Sequence, residues 1–488
     1  MTLRSLVLLC IISMHLGANA QNEIDALRYS YTENGGTARS FAMGNAFGAL
    51  GADLSAMHIN PAGLGLYRKS ELSFGLGNEF NNTSATHYGT TTDANTYNFN
   101  LSNLGIALAY LNDKKDSKWK STHLGVSYAR TASFAQDLKI NGSNPGSSLL
   151  DHFVNEANGT TPEDLASSFP FTSSLAWETY TIDPLDTLTN TYIGLFPDGQ
   201  VEQNYTLESS GRMSETAFAF GANYNHKLYL GVGLAFVSTR FEEKYIHQET
   251  RGNELTDLVE FEYQQELRTR GSGVNFRVGA IYRISNNFRV GGSVRSPSFM
   301  VMNDSWVTSM KSKFEDGTNF EQGSPDGEFS WSLNTPMRFT LSGASIIGAR
   351  GLISVDYEFM DMSSAKMKRA NGSTSDYDFA FENERINNLY TTSNQLRIGT
   401  EWKIRRSIIR GGFNIRHYPI KDEFTSNSKA TMGYSGGIGY RVRAFSMDLS
   451  FRRTEYVQDR YLYNSEIIEA TAVKIIQNEL IIGFAYRY

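Results

Sequence analysis

Residues 433–437 read Gly-Tyr-Ser-Gly-Gly and match the Gly-x-Ser-x-Gly spacing of enzymes that use a serine nucleophile. That acyl-transfer chemistry requires the serine to sit on a sharp turn between a strand and a helix. Here the surrounding segment GYSGGIGYRV continues an alternating pattern that predicts an uninterrupted strand. We therefore predict no catalytic serine and no enzymatic activity.

Histidine, the commonest metal ligand, is scattered along the chain without the short spacings that metal sites use. Apart from the one near the N-terminus, the histidines are His58, His87, His123, His152, His226, His247 and His417. The only cysteine, Cys10, lies in a segment that we expect to be removed. We predict no metal ion, no disulfide and no cofactor.

Arginine side chains suit the binding of a carboxylate, because the guanidinium group matches its geometry in a two-pronged contact. Arg410, Arg416 and Arg452 lie on one side of alternating segments and are candidates for such contacts with a ligand. The same sides carry acidic residues, among them Asp448 and Glu479. Ion pairs that fill the interior of the fold are the other interpretation, and the mixed signs favour it.

The first 20 residues have the features of a signal peptide that directs export. Arg4 precedes an apolar run from Leu6 to Leu16, and Ala18-Asn19-Ala20 fits the small-residue cleavage rule. We therefore expect the mature chain to begin at Gln21. The whole chain carries a formal charge of −6 without a basic block, which argues against nucleic acid as a partner.

The rest of the chain has no run of eighteen apolar residues, so we expect no membrane-spanning helix. It alternates instead: in KLYLGVGLAF, residues 227–236, every second side chain is large and apolar. A closed β-barrel pairs every backbone group between strands, and this alternation is its signature in a membrane. The aromatic C-terminus, ending at Tyr486 and Tyr488, is typical of bacterial outer-membrane barrels.

The alternating segments number about fourteen, which predicts an all-β, antiparallel transmembrane barrel over residues 70–488. They begin near Ser70, Tyr97, Thr122, Asn204, Leu228, Val259, Phe288, Glu328, Gly351, Ser393, Ile408, Ala430, Phe445 and Ala472. Short connections alternate with longer loops, as in that class of barrel. A soluble β-sandwich would explain the alternation but not the regular connections or the export signal.

The segment before the first strand, residues 21–69, is rich in glycine and alanine and has no predicted strand partner. Small residues allow close packing of backbone against a wall, so we predict a plug inside the barrel. Pro61 fixes its own φ and keeps Asn60 out of a helical conformation, which predicts a stiff corner. A moving gate and a static corner are both consistent with Asn60, Pro61, Ala62, Gly63 and Leu64.

Residues 35–75, which contain Met43-Gly44, Asp53 and the Asn60-Pro61-Ala62-Gly63-Leu64 motif, resemble the FadL/TodX-type outer-membrane transport proteins. The resemblance implies a fourteen-stranded barrel with an N-terminal hatch that carries the motif. It also implies passive, gated passage of long-chain fatty acids or other apolar compounds across the outer membrane of a Gram-negative bacterium. The ligand class stays open between fatty acid, aromatic hydrocarbon and haem.

In the resembled family, ligand leaves sideways through an opening at a kink in the third strand. The third segment here, THLGVSYARTASFAQDLKI, has no proline, and its one glycine comes early. Prolines occur instead at Pro297 and Pro336, in the seventh and eighth segments, where we expect a bulge or a rim position. The sequence therefore gives no independent evidence for the kink.

The long connection over residues 139–203 is predicted to be partly helical. Leu149, Leu150, Phe153 and Val154 fall on one helical face. Such a face captures apolar ligand outside the barrel in the resembled family; a simple cap over the barrel is equally consistent. A barrel without transport, acting as a scaffold or shuttle for secretion or surface attachment, is the alternative function. We expect a monomer in contact with outer-membrane lipid.

Overall fold

The structure is a computed structural model that describes residues 22–114, 116–186, 188–196, 200–252, 256–372, 376–425 and 430–488. The predicted signal peptide, residues 1–20, lies outside the described residues. Within the described ranges, no helix is long and apolar enough to cross a membrane.

The strands are long and mostly joined by short connections. Their bounds are β1 Glu71–His87, β2 Thr90–Leu111, β3 Trp119–Ser133, β4 Gln136–Asn144, β5 Ile182–Asp186, β6 Thr191–Gly194, β7 Val201–Tyr224, β8 Leu228–Arg251, β9 Leu258–Arg283, β10 Phe288–Arg295, β11 Phe299–Phe314, β12 Asn319–Gly323, β13 Gly327–Asn334, β14 Arg338–Ile347, β15 Gly351–Asp361, β16 Lys366–Arg369, β17 Thr392–Ile404, β18 Ser407–His417, β19 Ala430–Val442, β20 Phe445–Arg460 and β21 Thr471–Arg487.

The helices are short and lie at the N-terminus or in the long connections. They are α1 Glu23–Ser30, α2 Ala38–Ala42, α3 Ala56–Ile59, α4 Leu149–Ala157, α5 Pro162–Ser168, α6 Ser173–Glu178 and α7 Ala380–Leu389, with 3₁₀ turns at Pro61–Leu66, Met362–Ser364 and Asp422–Phe424.

The main sheet closes on itself as a barrel of fourteen antiparallel strands, which confirms the predicted fold. Closure comes from β1, which pairs with β2 on one side and with β21, the last strand, on the other. Four barrel strands are each built from two pieces: β3 with β4, β10 with β11, β13 with β14, and β15 with β16. We call the end with the short connections and both barrel termini the turn end, and the opposite end the loop end.

Side chains alternate across the barrel wall as the period of two requires. On β8, Leu230, Val232 and Phe236 are exposed on the outside, whereas Gly231 and Ala235 are buried towards the lumen. The outer apolar faces of neighbouring strands join into a continuous band. Buried polar and charged side chains concentrate on the inner face, which is the reverse of a soluble domain and typical of a lipid-facing barrel.

Most predicted strand starts lie within three residues of the observed ones. The second strand is the exception, because β2 begins at Thr90 rather than near Tyr97. The β1–β2 hairpin turns at Tyr88 and Gly89, which both have positive φ, and its tip is built from polar residues. An apolar alternation therefore gives no signal for those first residues of β2.

Three interruptions of the wall stand out. Pro297 separates β10 from β11 and Pro336 separates β13 from β14. These positions agree with the expected bulges, since proline has no N–H for the ladder. The third strand is also interrupted, at Phe134–Ala135, where neither proline nor glycine marks the break.

Candidate functional site

The segment from Asn22 to Ser70 runs inside the barrel and is called the hatch below. Its sharp reversals occur at residues with positive φ, among them Gly44 (62°), Asn45 (59°), Gly51 (63°) and Ala52 (52°). Left-handed backbone is least costly for glycine and is tolerated by asparagine. Almost every hatch side chain is buried, so this glycine-rich stretch is a compact filling of the lumen.

The corner from Asn60 to Leu64 rests directly on glycines of the barrel wall. Gly221, Gly231 and Gly279 lie opposite one another across β7, β8 and β9. A β-carbon at Gly221 would lie 2.7 Å from Cβ of Leu64, and one at Gly231 would lie 2.5 Å from the carbonyl oxygen of Pro61. The three glycines thus form a bed that lets hatch backbone contact wall backbone.

Asn60 ties the corner to the hatch and to the wall. Its side-chain Nδ2 donates to the carbonyl oxygen of Gly48 at 2.8 Å, and more weakly to those of Ala280 and Gly292 at 3.3 and 3.4 Å. Its Oδ1 accepts from the backbone N–H of Ala62 at 3.1 Å. Since Gly48 and Ala62 are buried, Asn60 satisfies two backbone groups that have no water to replace it.

An ion-pair network fixes the middle of the hatch. Arg39 donates to both carboxylate oxygens of Glu401, at 2.8 and 3.1 Å. Glu401 also accepts from Arg410 at 2.7 Å, and Arg410 in turn donates to Asp448 at 2.7 Å. The two-pronged contact of Arg39 is the strong form of such a pair and orients the hatch against β17 and β18.

A second network lies on the loop-end side of the first and connects β1, β3, β20 and β21. Arg130 donates to Glu79 and to Glu479, the latter at 3.1 Å, and Arg452 donates to Glu479 at 2.8 Å. Arg452 also pairs with Glu33 of the hatch. Burial opposes ionisation of Glu33, but the Arg452 guanidinium outweighs it and holds the pKa of Glu33 below its usual value.

A third network surrounds the end of α3. Glu215 of β7 accepts from Arg277 at 2.5 Å and lies 3.5 Å from Nδ1 of His58. Burial lowers the pKa of His58, so the imidazole is neutral near pH 7. On the other side of the hatch, Glu358 accepts from Arg397 at 2.8 Å and from Arg338 at 3.5 Å. Glu215 and Glu358 of the wall thus both pair with arginines beside the hatch, whereas the buried Asp356 accepts from the backbone N–H groups of Phe47 and Gly48.

A cavity of about 350 Å³ lies between the hatch and the wall on the loop-end side of these networks. Its lining is half apolar and half polar, with Tyr31 and Phe41 from the hatch and Phe134 and Phe241 from the wall. A mixed lining with several aromatic rings suits a small apolar or amphipathic molecule.

The three candidate arginines have different surroundings. Arg416 and Arg452 line the cavity, whereas Arg410 is held between Glu401 and Asp448 beside the hatch. Arg452 already has two carboxylate partners. Arg416 stacks on the Tyr31 ring, 3.4 Å from its centroid, and donates to the carbonyl oxygen of Thr32. Among the described residues, Arg416 has no carboxylate within 4.0 Å.

The interruption of the third strand ends its backbone ladder to β2 beside this cavity. β2 pairs with β3 only over Asn103–Leu111, while β4 pairs with β7 rather than with β2. Between β4 and the first half of β2 lies a seam in which the described hydrogen bonds involve side chains. For example, the backbone N–H of Asp137 donates to Oγ1 of Thr96 at 2.7 Å. Phe134 and Ala135, at the interruption, are themselves part of the cavity lining.

The loop after β4 folds into a small core of its own at the loop end. Leu149, Leu150 and Phe153 of α4 are at most 5% exposed, and Val154 is partly buried against them. They pack with side chains from the outer ends of β9 and β11. The apolar face of α4 is therefore covered by protein, and a ligand would have to enter this core to reach it.

The hatch begins with α1, which lies in a methionine-rich pocket of the lumen. Ala26, Leu27 and Tyr29 pack in a cluster with Trp331 and with six methionines of the wall strands and the turn after β15. Glu23 at the start of the helix pairs with Arg385 of α7 at 2.7 Å. Methionine is flexible and polarizable, so this pocket can adapt to a different apolar occupant.

The glycine bed and the pairs Arg130–Glu79 and Arg39–Glu401 were not singled out from the sequence. Each glycine does sit at an inward position of an alternating segment, as in LYLGVGLAF for Gly231. Inward glycines at matching depth on three successive strands are a usable signal, but only once the register is known. Among the described residues, no group of three or more His, Cys, Asp or Glu side chains is arranged to hold a metal ion.

Several solved structures superpose on this barrel over almost its whole length. A FadL homologue of Pseudomonas aeruginosa superposes with a TM-score of 0.56 at 10% identity, covering 94% of this chain and 98% of its own. The Pseudomonas putida toluene transporter TodX gives 0.54 at 11% identity over 93% and 99%. The Ralstonia pickettii toluene transporter TbuX gives 0.50 at 14% identity over the same shares. The chain therefore has the fold of FadL/TodX-type barrels.

No protein-family model matches the sequence, and no curated protein matches it. The likeness to the channels lies in the three-dimensional arrangement, because identities of 10–14% are too low to align individual side chains.

Proposed function

We propose that this protein is an outer-membrane channel through which small hydrophobic molecules enter the cell envelope by passive diffusion. The observation that carries the proposal is the meeting of the lumen cavity with the seam between β2 and β4, which has no backbone ladder, at Phe134 and Ala135. An apolar molecule in the cavity is separated from the lipid by the contacts across that seam. The fold shared with a FadL homologue and two toluene transporters supports the same role.

The hatch blocks the straight path through the barrel, which favours sideways release. Its corner at Asn60–Leu64 is fixed by backbone and side-chain contacts, and Arg39 anchors its middle to Glu401. Ligand that leaves through the seam does not require the hatch to move as a whole. We therefore propose that the motif holds the hatch in place, and that the gating step occurs at the interruption of the third strand.

For a ligand that carries a carboxylate, such as a fatty acid, Arg416 is the proposed contact. It lines the cavity beside Tyr31 and has a guanidinium without a carboxylate partner among the described residues. Arg452 is a weaker candidate because Glu33 and Glu479 already hold it, and Arg410 is proposed as structural. Substitution of Arg416 by Gln should weaken binding of a long-chain carboxylate and leave a hydrocarbon unaffected.

The route is tested by closing the seam. Cysteines at Thr96 and Asp137, joined by a short cleavable thiol cross-linker, should slow the uptake of an apolar fluorophore into proteoliposomes at least several-fold. Cleavage of the linker should restore the rate. The matched control is a cysteine pair at Asn82 and Asn95, which face each other across the intact β1–β2 ladder. The only natural cysteine, Cys10, lies in the predicted leader and so does not interfere.

Equal uptake by the open and the cross-linked seam would contradict sideways release. No uptake by any form would favour the alternative, a barrel that acts as a scaffold or shuttle, which the many buried ion pairs around the hatch also fit. Mass spectrometry of lipid that copurifies with the protein, with Asn60→Ala for comparison, would identify the ligand class. We propose a monomer, because one chain closes the whole barrel.

A further inference from the structure

Three arginines form a row on the outer face of the barrel. Arg212 of β7 lies directly opposite Arg240 of β8, and Arg240 lies directly opposite Arg270 of β9. All three are exposed on the side of the strands that faces away from the lumen. Adjacent strands are about 4.8 Å apart, so the three Cα atoms lie within roughly 10 Å of one another.

The row has no neutralising partner in the protein. Within the described ranges, none of the three side chains has a carboxylate within 4.0 Å or a side-chain hydrogen bond. Like charges directly opposite each other on a sheet are destabilising, and here the repulsion occurs twice. A row of this kind is stable only if solvent or an anion compensates it, and an anion that touches all three side chains does so best.

The position of the row on the wall indicates which anion. Towards the turn end, the next positions in the same phase are Ser214, Ser238 and Ser272, again directly opposite one another; Ser238 and Ser272 are exposed, whereas Ser214 is buried. Beyond the serines comes the apolar band, with Phe236 and Phe276 more than half exposed. Along each strand the order is therefore apolar side chain, hydroxyl, guanidinium, over about 13 Å from Phe236 to Arg240.

This order matches a lipid that has acyl chains, a hydroxyl-bearing sugar or glycerol, and a phosphate at increasing height. The basic row is at the loop end, whereas an anion-binding patch for a soluble partner would not need to adjoin the apolar band. On the far side of the row the outward residues are mixed in charge, as with Arg268 and Glu266 on β9. Positive charge without a partner is thus confined to the edge of the band.

We propose that Arg212, Arg240 and Arg270 bind the phosphate of a lipid in the leaflet at the loop end, with the exposed Ser238 and Ser272 beside its sugar or glycerol. The proposal rests on the membrane location proposed above but not on transport. Guanidinium groups suit phosphate because they donate in a planar, two-pronged arrangement. The bound lipid would cover the wall formed by β7, β8 and β9, on whose inner face the glycine bed carries the hatch corner.

The test uses the full-length mature barrel in phosphatidylcholine vesicles, with or without diphosphoryl lipid A, a phosphate-bearing glycolipid. Lipid retained after detergent extraction is measured by native mass spectrometry. The triple variant Arg212→Gln, Arg240→Gln, Arg270→Gln should retain about a hundredfold less lipid A than wild type, since each arginine near an anionic surface contributes roughly a factor of five. The single variant Arg240→Gln should retain about fivefold less and serves if the triple variant does not fold.

The matched control is Arg268→Gln, at the next outward position after Arg270 on β9. The Arg268 side chain is 66% exposed and paired with Glu266. It should retain lipid A like wild type. Lipid A without phosphates should be lost from wild type as readily as from the triple variant. In phosphatidylcholine alone the triple variant should melt no lower than wild type, because the cross-strand repulsion is gone.

Equal retention of lipid A by wild type, the triple variant and the single variant Arg240→Gln would overturn the proposal. Equal retention of phosphorylated and dephosphorylated lipid A by wild type would also overturn it. Loss of heparin binding in the triple variant with unchanged lipid A retention would also overturn it, since the row would then serve a soluble polyanion. Uptake of the apolar fluorophore is measured on the same samples, so that a failure of transport and a failure of lipid binding are distinguished.

Discussion

Substitution of Gly231 by alanine tests whether the hatch corner is held by close contact with the wall. The added β-carbon would lie 2.5 Å from the carbonyl oxygen of Pro61 and closer still to its carbonyl carbon and to the N–H nitrogen of Ala62. All three are backbone atoms, so no side chain can rotate away. Overpacking of this kind costs about 1–3 kcal/mol, and contacts with backbone lie at the upper end.

A cost of about 3 kcal/mol, borne by the docked state of the hatch, lowers the ratio of docked to undocked hatch roughly a hundredfold. The barrel itself should stay closed, because β8 keeps its full ladders to β7 and β9. We expect faster hydrogen exchange in peptides that cover residues 56–66, together with increased leakage of small solutes in planar bilayers. Heat-modifiable migration on gels reports the folded barrel.

The matched control for this experiment is Gly233→Ala, two residues away on the same inward face of β8. Its β-carbon would lie 3.5 Å from the nearest atom, the carbonyl oxygen of Phe218, which is an ordinary contact. It should leave exchange and leakage unchanged. Identical exchange and leakage in the two variants would refute the argument that backbone contact holds the hatch. An unfolded Gly231→Ala barrel would refute the argument that the barrel stays closed when the hatch is loosened.

Substitutions at three further positions test the side chains around the hatch. Asn60→Ala should lower the free energy of local opening around the corner by about 1–3 kcal/mol and so speed hydrogen exchange there, since it leaves the buried carbonyl oxygen of Gly48 unsatisfied. Asn60→Asp should lower this free energy further, because a carboxylate faces that carbonyl. The opposite order would argue against the assigned amide contacts. Glu401→Gln should loosen the hatch by less than the ~3–5 kcal/mol of a fully buried pair, because Glu401 is partly buried and Arg410 keeps Asp448 as a partner; equal leakage in wild type and this variant would show that the pair does not hold the hatch. Burial raises the pKa of Asp25 to about 7, so the ionised carboxylate disfavours docking of α1 and docking weakens as the pH rises from the unfolded value near 4 through 7. Asp25→Asn should therefore exchange more slowly than wild type in α1 at pH 8 and equally at pH 3, and faster exchange at pH 8 would mean that the pair with Arg28 outweighs burial.

The strands were predictable because their signal is local. The alternation of apolar side chains in residues 227–236 can be recognised without knowing which strands lie beside them. The same alternation along the chain gives the number of strands and the side of each that faces lipid. Proline marked two of the interruptions, since it cannot donate to a ladder. The polar tip of the β1–β2 hairpin lacked that signal, and its strand start was placed seven residues late.

The seam at Phe134–Ala135 had no local mark. It arises because β4 continues along β7 while the first half of β2 has β1 as its only ladder partner among the described strands. That choice depends on how residues far apart in the chain register, which no window of sequence contains. The same holds for the covered face of α4, whose apolar residues pack against distant strand ends.

The sequence by itself therefore determined the barrel, its strand number, the hatch segment and the pool of inward arginines, because each follows from alternation and from small residues ahead of the first strand. Only the tertiary structure decided which arginines face the cavity, where the ladder of the wall is interrupted, and which glycines carry the corner at Asn60–Leu64. These features depend on cross-strand register and on closure of the barrel, which bring together Gly221, Gly231 and Gly279 from three strands. Contact between distant residues is a property of the closed sheet, not of any segment.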